Sequence, residues 1–335
     1  MNVRQTTVWR ALNTALHDAM REDERVFVMG EDITKWGTGG GIYGVTRKLV
    51  DEFGEERVRA TPISEEAIVA AGVGAAMLGL RPVVELMYSD FTLLAMDGIV
   101  NQAAKAHYMF GGQFSVPMVL RTNGGAGIGK AGQHSQSLET LFAHIPGLEV
   151  VLPTTADDAY GLLRASIKTE NPTIFLEHKA LYTTKGPVTG EILPLGVPAV
   201  RRTGTDVTVV GTQQGVLRSL AAAERLSDAG VSAEVVDLRG LYPLDLDPVF
   251  DSVRRTRRLA VVHEACGPYG FGGEIVSRVV EACWSELDEA PVRVTAARSP
   301  IPYSEVLENA VVPQVDDVVR AVLALVGDRH AVSGA

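Results

Sequence analysis

The chain has 335 residues, which is long enough for two domains of ordinary size. Its 46% hydrophobic and 21% charged residues are typical of a soluble globular protein, and its apolar runs are too short or too glycine-rich to cross a membrane. The formal net charge of −10, without a cluster of Lys and Arg, excludes a protein built to bind nucleic acid by charge.

The chain begins with a predicted helix and strand that lead to two acidic residues. Helical spacing of apolar residues covers 6–22, and Arg25–Gly30 reads as a strand followed by Glu31 and Asp32. In parallel α/β sheets, ligands collect past the carboxyl ends of the strands, although Glu31 has a second interpretation as a solvated loop carboxylate. The glycine loop WGTGGGIYG at 36–44 has no GxGxxG between strand and helix, so we do not predict a phosphate cradle there.

A second predicted helix begins at Ser64, which stands at the N-cap position with Glu65 and Glu66 behind it. The next fourteen residues, AIVAAGVGAAMLGL, carry no charge, and Arg81-Pro82 ends the helix. Three glycines lie inside this apolar run: Gly72, Gly74 and Gly79. Because glycine costs up to about 1 kcal/mol in a helix relative to alanine, these glycines indicate close approach by another backbone.

Glu65 has two interpretations on the residues alone. In the first, it helps to cap the helix and is stabilised by the helix dipole, as acidic first-turn residues commonly are. In the second, it faces a dry pocket and exchanges a proton there.

The rest of the first half alternates predicted strands and helices. The strands are Val83–Met87, Pro117–Arg121, Leu148–Leu152 and Thr173–Glu177, and the helices are 46–53, a segment running through 105–109, and 155–169. A glycine-rich loop after the second of these strands ends in Gln133-His134-Ser135-Gln136. A histidine on such a loop is poised to reach into a cleft, or it is a capping or solvent-exposed histidine.

The second half begins after a stretch rich in Pro and Gly at 186–203, which we interpret as a linker. Predicted strands at 207–210, 233–236, 259–262 and 292–295 alternate with predicted helices at 214–228, 247–256, 273–285 and 315–326. Four strand–helix alternations predict a second doubly wound α/β domain. The domains are therefore expected at 1–185 and 204–327, with a tail at 328–335.

Several motifs resemble one enzyme family along almost the whole chain, to about residue 327. They are GED after the first strand, TPISE at 61–65, GLRPVVE at 79–85 with Phe91 six residues later, HSQ at 134–136, and HE and GFG in the second half. This pattern resembles the β-subunit of the thiamine-diphosphate-dependent 2-oxo acid dehydrogenase decarboxylase component, a group that includes the pyruvate, branched-chain 2-oxo acid and acetoin dehydrogenases. The resemblance implies a transketolase-like pyrimidine-binding domain followed by a transketolase C-terminal-type domain.

The resemblance also implies a reaction and a site. The reaction is oxidative decarboxylation of a 2-oxo acid, with pyruvate favoured, and reductive acylation of the lipoyl group of an acyltransferase. Glu65 is expected to serve the pyrimidine nitrogen of thiamine diphosphate, and His134 to act on the lipoyl group. The cofactor-binding residues implied are Glu31, Ile63, Glu65 and Phe91.

The absence of a Gly-Asp-Gly motif predicts a partner, because that motif normally holds the diphosphate through Mg²⁺. An α-subunit is expected to supply it, in an assembly of two α and two β chains that works with the lipoyl-bearing acyltransferase. Related β-subunits carry a structural potassium ion, and the matching positions are Met118, Ser166, Ile167, Thr169 and Asn171.

The sequence also predicts the location of the protein and leaves alternative functions open. The first residues lack the apolar core of a secretory signal, and Cys266 and Cys283 have no metal spacing, so free thiols in a bacterial cytoplasm are expected. Acetoin and branched-chain 2-oxo acid dehydrogenase β-subunits are alternatives within the family. Outside it, the alternatives are a catalytically silent scaffold for the acyltransferase and a self-sufficient thiamine enzyme such as a synthase or transketolase fragment.

Overall fold

The computed structural model describes residues 4–34 and 39–327. The predicted tail at 328–335 and the start of the predicted glycine loop, residues 36–38, lie outside these ranges. The chain divides into two compact units. The N-terminal unit contains the residues up to Gly125, Leu141–Leu195 and Leu241–Pro243, and the C-terminal unit contains Ala126–Thr140, Gly196–Gly240 and the residues from Leu244.

The elements alternate along both halves of the chain. The strands are β1 (Arg4–Thr7), β2 (Val26–Glu31), β3 (Val58–Thr61), β4 (Arg81–Glu85), β5 (Val119–Gly124), β6 (Glu149–Val151), β7 (Thr173–His178), β8 (Lys185–Val188), β9 (Ala199–Arg202), β10 (Val207–Gly211), β11 (Ala233–Asp237), β12 (Gly240–Tyr242), β13 (Leu259–Cys266) and β14 (Val292–Ala296). The α-helices are α1 (Val8–Glu22), α2 (Leu49–Phe53), α3 (Glu65–Met77), α4 (Ala106–Met109), α5 (Glu139–Ala143), α6 (Ala156–Lys168), α7 (Gln213–Asp228), α8 (Asp247–Thr256), α9 (Phe271–Cys283), α10 (Glu305–Val311) and α11 (Val315–Val326).

The N-terminal unit is built on a seven-stranded sheet in the order β12-β6-β7-β5-β4-β2-β3, in which the strands from β2 to β7 pair in parallel. Successive strand residues point to opposite faces of the sheet. Val83 joins the buried cluster formed with Leu12 and Leu16 of α1, whereas the next residue, Val84, lies against Gly72 of α3. Helices therefore cover both faces, which explains why the strands read as continuous apolar runs.

α3 corrects the expectation about its glycines. Gly79 lies beyond the last helical residue, Met77, and an added Cβ at Gly74 would meet no atom within 4 Å. An added Cβ at Gly72 would lie 2.7 Å from Val84 Cγ2 and 2.8 Å from Met118 Sδ. Within this chain, close approach is therefore found at Gly72, where the side chains of Val84 and Met118 make it rather than another backbone.

The stretch after β4 differs from the predicted continuous helix. Ser89–Ala95 is a 3₁₀ helix, Asp97–Ala103 is π-helical, and only the four residues of α4 are α-helical. An added Cβ at Gly98 would lie 3.0 Å from Val69 Cγ1, so the segment packs close to α3. The apolar pattern predicted helical structure here, but it does not distinguish these helix types.

The C-terminal unit contains a five-stranded sheet in the order β14-β13-β10-β11-β9. All its neighbouring strands are parallel except β9, which runs antiparallel to β11. Val207 and Val209 pack in a cluster with α7 and α11, while the Thr208 hydroxyl lies 2.6 Å from the hydroxyl oxygens of Ser252 and Thr256 on α8. Helices again cover both faces, as predicted.

The stretch predicted as a linker contains two short strands. β8 pairs antiparallel with β1, and β9 joins the edge of the C-terminal sheet. Both units have the predicted α/β architecture. Among the described residues, no helix has the length and apolar character needed to cross a lipid bilayer.

Candidate active site

The two carboxylates predicted to serve the cofactor lie at one edge of the N-terminal sheet. Glu31 is the last residue of β2, and Glu65 is the first residue of α3, which follows β3. β2 and β3 are parallel neighbours with Glu31 opposite Thr61, so the chain carries both glutamates to the carboxyl edge of the sheet. Each glutamate is half-buried.

Glu65 is close enough to Glu31 to affect its ionisation. Burial raises the pKa of Glu31 most, and the negative charges of Asp32 and Glu65 raise it further. A raised pKa means that the folded chain holds this proton more tightly than the unfolded chain does. Protonated Glu31 therefore stabilises the folded chain at low pH, and this stabilisation is lost as the pH rises through the folded-state pKa of Glu31. A basic ring nitrogen beside the pair would relieve this charge repulsion.

Glu65 and Glu66 have different surroundings although they are adjacent. Glu66 is exposed, and its carboxylate accepts a hydrogen bond from the Gly98 backbone N–H at 3.4 Å. Ser64 occupies the N-cap position, but its side chain makes no capping bond and its hydroxyl instead donates to the Pro62 carbonyl at 3.1 Å. The two side chains point in different directions because successive helix residues are rotated by about 100°. Glu66 is therefore a suitable control for Glu65.

Two apolar side chains accompany the carboxylates on the N-terminal unit. Ile63, two residues before Glu65, is 72% exposed. Phe91 is half-buried in the 3₁₀ segment that follows β4, and its backbone N–H donates to the Tyr88 carbonyl at 2.9 Å. The assignment of Ile63 and Phe91 to the cofactor stays a prediction.

A buried charge cluster beneath this edge was not predicted from the sequence. The Arg121 guanidinium donates to both oxygens of Glu177, at 2.7 and 2.9 Å, and to Glu85 at 2.5 Å. The Tyr182 hydroxyl donates to the same Glu177 at 2.5 Å. Arg121 is only 1% exposed, so this network is dry and each charge depends on its partners.

The ionisation of the cluster reflects this burial. Burial raises the pKa of Glu177 despite the opposing charge of Arg121. Burial tends to lower the pKa of Arg121, but the charges of Glu177 and Glu85 outweigh it and raise that pKa. The cluster links the three neighbouring strands β4, β5 and β7. The sequence signal is one charged residue after a short apolar run in each strand, as in VVE, VLR and FLE.

His134 belongs to the C-terminal unit, whereas Glu31, Ile63, Glu65 and Phe91 belong to the N-terminal unit. The histidine is half-buried, and its backbone N–H donates to the Ala131 carbonyl at 3.3 Å. The next residue, Ser135, is 2% exposed and lines a cavity of about 460 Å³ within the C-terminal unit. A cleft therefore adjoins the histidine, but its role in transfer stays a prediction.

Protein donors contact three of the five positions predicted to hold potassium. Arg81 donates to the carbonyls of Ile167 and Thr169, each at 3.0 Å, and the Met118 carbonyl accepts from the Thr173 N–H at 2.9 Å. Three of the five carbonyls thus already accept a donor from the chain, and one donor carries a permanent positive charge. The assignment of these positions to potassium stays a prediction.

The side chains at the sheet edge fit the pyrimidine end of thiamine diphosphate. Half-buried carboxylates accept hydrogen bonds from a ring nitrogen and an amino group, and Ile63 and Phe91 offer apolar surface to a flat ring. The sequence contains no Gly-Asp-Gly, the motif that normally holds the diphosphate end of the cofactor through Mg²⁺. The residues present therefore suit one end of the cofactor, as predicted from the motifs.

Comparisons with known proteins identify the family of this chain. The chain matches the family "Transketolase, pyrimidine binding domain" over residues 4–185 and "Transketolase, C-terminal domain" over residues 196–318. It is 44% identical over 324 residues to the rice pyruvate dehydrogenase E1 component subunit beta-2, covering 95% of this chain and 85% of the relative. It is 42% identical over 332 residues to the acetoin:2,6-dichlorophenolindophenol oxidoreductase subunit beta of Bacillus subtilis (strain 168), covering 95% and 96%.

Solved structures show the same fold at lower sequence identity. A split-gene transketolase, solved as an inactive beta4 tetramer, superposes with a TM-score of 0.75 at 21% identity, covering 95% of this chain and 97% of that one. Transketolase from Leishmania mexicana gives 0.73 at 17% identity, covering 97% of this chain and 46% of that one. The predicted fold and the resemblance are confirmed. The chain belongs to the β-subunit family of the thiamine-dependent 2-oxo acid dehydrogenases, with a transketolase pyrimidine-binding domain and a transketolase C-terminal domain.

Proposed function

We propose that this chain is the β-subunit of a decarboxylase component that oxidatively decarboxylates a 2-oxo acid and transfers the acyl group to a lipoyl group. The carrying observation is the half-buried glutamate at the start of α3, beside Glu31 at the carboxyl edge of a parallel sheet. Relatives more than 40% identical over nearly the whole chain support the reaction class.

The roles of the residues follow from their chemistry. Thiamine diphosphate, when bound, supplies a nucleophilic carbon and accepts the electrons of the departing carboxylate. Glu65 accepts a hydrogen bond from the pyrimidine nitrogen and exchanges a proton with it. Ile63 and Phe91 contact the ring and exclude water from it. His134 orients or protonates the lipoyl disulfide during acyl transfer.

The substrate is proposed to be pyruvate, with acetoin as the second candidate. The proposal of pyruvate is based on the rice relative. The proposal of acetoin is based on the Bacillus relative, 96% of which is covered by this chain. Turnover of the assembled enzyme with each substrate separates the two candidates.

An α-subunit is proposed as the partner that completes the site. The N-terminal unit exposes large apolar side chains at both ends of α3 and after β4, namely Ile63, Leu78, Leu94, Tyr108 and Met109. Monomeric proteins rarely leave contiguous apolar patches uncovered, so these side chains suit a subunit interface. The beta4 tetramer of the split-gene transketolase is inactive, which supports the need for an α chain.

The partner proposal predicts the behaviour of the purified β chain. Alone, it is expected to bind thiamine diphosphate weakly and to show no decarboxylase activity, because it lacks the diphosphate-binding motif. Titration calorimetry measures the first property, and turnover with pyruvate and 2,6-dichlorophenolindophenol measures the second. Adding an α-subunit that contains Gly-Asp-Gly should restore both. Tight cofactor binding by the isolated chain would contradict the proposal.

Potassium is expected to contribute little to stability. At a free ion concentration a hundred times its dissociation constant, a bound ion would raise the free energy of unfolding by about 2.7 kcal/mol. That change would raise the temperature midpoint of unfolding by several degrees for a domain of this size. Because Arg81 already donates to two of the carbonyls, exchanging potassium for sodium should shift the midpoint by less than about 2 °C. Scanning calorimetry in matched chloride buffers tests this, and a larger shift would show that a bound potassium ion stabilises the chain.

A further inference from the structure

The loop that carries His134 is held by acidic side chains of the C-terminal unit. We name residues 126–138 the histidine loop; it lies in the C-terminal unit. Its first residue, Ala126, is buried in a small apolar cluster with Ala296 and Val312, and Ile301 packs against them. This glycine-rich loop is thus anchored where it begins.

Glu308 of α10 is the central contact. One of its carboxylate oxygens accepts the Gly127 N–H at 2.9 Å and the other accepts the Gly129 N–H at 3.1 Å. Both glycines have positive φ, 100° and 63°, a backbone conformation that turns these N–H groups towards one anion. Glu308 is 1% exposed, so the loop backbone supplies the donors that this buried charge needs.

Two further carboxylates hold the ends of the loop. Glu264 accepts the Ala126 N–H at 2.8 Å and forms an ion pair with Arg218 at 3.0 Å. At the other end, Glu139, the residue after the loop, lies 2.9 Å from His263 Nε2. All these contacts lie within the C-terminal unit, so this unit sets the conformation of the loop.

We propose that Glu308 is a positioning residue that fixes the histidine loop and thereby His134 for acyl transfer. This inference rests on the proposed role of His134. Glutamine has nearly the same shape as glutamate, but its amide group can accept only one of the two loop N–H groups and turns a donor towards the other. Glu308→Gln therefore loosens the loop without removing side-chain volume.

The test compares Glu308→Gln with Glu305→Gln in the α–β assembly. Glu305 lies one turn earlier on α10 and is exposed, so its variant controls for lost charge. Glu308→Gln is expected to lower transfer to a lipoyl domain about a hundredfold, the size typical of a misplacement of about 1 Å. Turnover with 2,6-dichlorophenolindophenol should stay near the unmodified level, and Glu305→Gln should match the unmodified enzyme in both assays.

Limited proteolysis reports on the loop without any activity. Lys130 is the only trypsin site in the histidine loop and is exposed. Cleavage after Lys130, identified by mass spectrometry, should be faster in Glu308→Gln than in Glu305→Gln, because proteolysis follows local opening. Glu308→Asp keeps the negative charge on a side chain that is one methylene shorter. If the Gln variant does not fold, the same measurements are made on Glu308→Asp, for which an intermediate effect is expected.

The combination with His134→Ala decides between positioning and general damage. If Glu308 acts through the histidine, the double variant transfers no more slowly than His134→Ala alone. Additive losses, equal losses in both assays, or unchanged cleavage at Lys130 would overturn the proposal. If His134→Ala itself transfers normally, the proposed role of the histidine fails, and the role of Glu308 in transfer fails with it. Impaired transfer in His134→Ala with normal transfer in Glu308→Gln would overturn the positioning role alone.

Discussion

Glu65→Gln is expected to leave the α–β assembly folded and able to bind thiamine diphosphate, while turnover falls by about a hundredfold to ten-thousandfold. Glutamine keeps the shape and part of the hydrogen bonding of glutamate but cannot exchange a proton with the pyrimidine nitrogen. A mere capping role would predict a much smaller effect, about 0.3–1 kcal/mol of stability and little activity.

Glu66→Gln is the matched control for this experiment. Glu66 contacts Gly98 rather than Glu31, so its loss should affect local packing and not proton exchange. The direct measurement is hydrogen–deuterium exchange at the thiazolium carbon in both variants of the assembled enzyme. Slow exchange in Glu65→Gln alone supports the assignment. Slow exchange in Glu66→Gln alone would move the role by one residue, and normal exchange in both would return Glu65 to capping.

His134→Ala is expected to reduce acyl transfer to the lipoyl domain by about a hundredfold or more, with a smaller loss of turnover with an artificial electron acceptor. The reason is the role proposed for the histidine, which places it after decarboxylation, on the incoming disulfide, whereas an artificial acceptor bypasses that step. Both rates should be measured on the same α–β preparation.

His144→Ala is a suitable comparison for the histidine experiment. His144 is exposed and belongs to the N-terminal unit, so its variant loses an imidazole without touching the histidine loop. It should behave as the unmodified enzyme does in both assays. Equal losses in the two assays of His134→Ala would place that histidine in an earlier step or in the structure.

The elements of the C-terminal unit were predictable because each has a local signature. β10 and β11 are short apolar runs, and α8 and α11 agree with the predicted bounds to the residue, since strong helical spacing identifies long amphipathic helices. The stretch after β4 was not predictable, because apolar residues with an internal glycine suit 3₁₀, α and π geometry alike. Packing of Gly98 close to Val69 on α3 is visible only in the fold.

The site was predictable only where one short stretch carries it. TPISE placed Glu65 correctly at the start of α3. The cluster of Glu85, Arg121 and Glu177 was missed because it depends on strand order, with β5 lying between β4 and β7. The anchoring of the histidine loop was missed for a similar reason. Glu308 is separated by about 180 residues from the glycines that it holds, and no local pattern links them.

The pairing of β1 with β8 has a consequence for how such chains are built. These strands lie near the beginning of the chain and just before the second half, with Arg4 opposite Val188, so residues 4–7 and 185–188 lie side by side. A stretch of chain whose ends meet can be inserted into a longer polypeptide. Transketolase from Leishmania mexicana, of which this chain covers 46%, has the same fold within a longer chain.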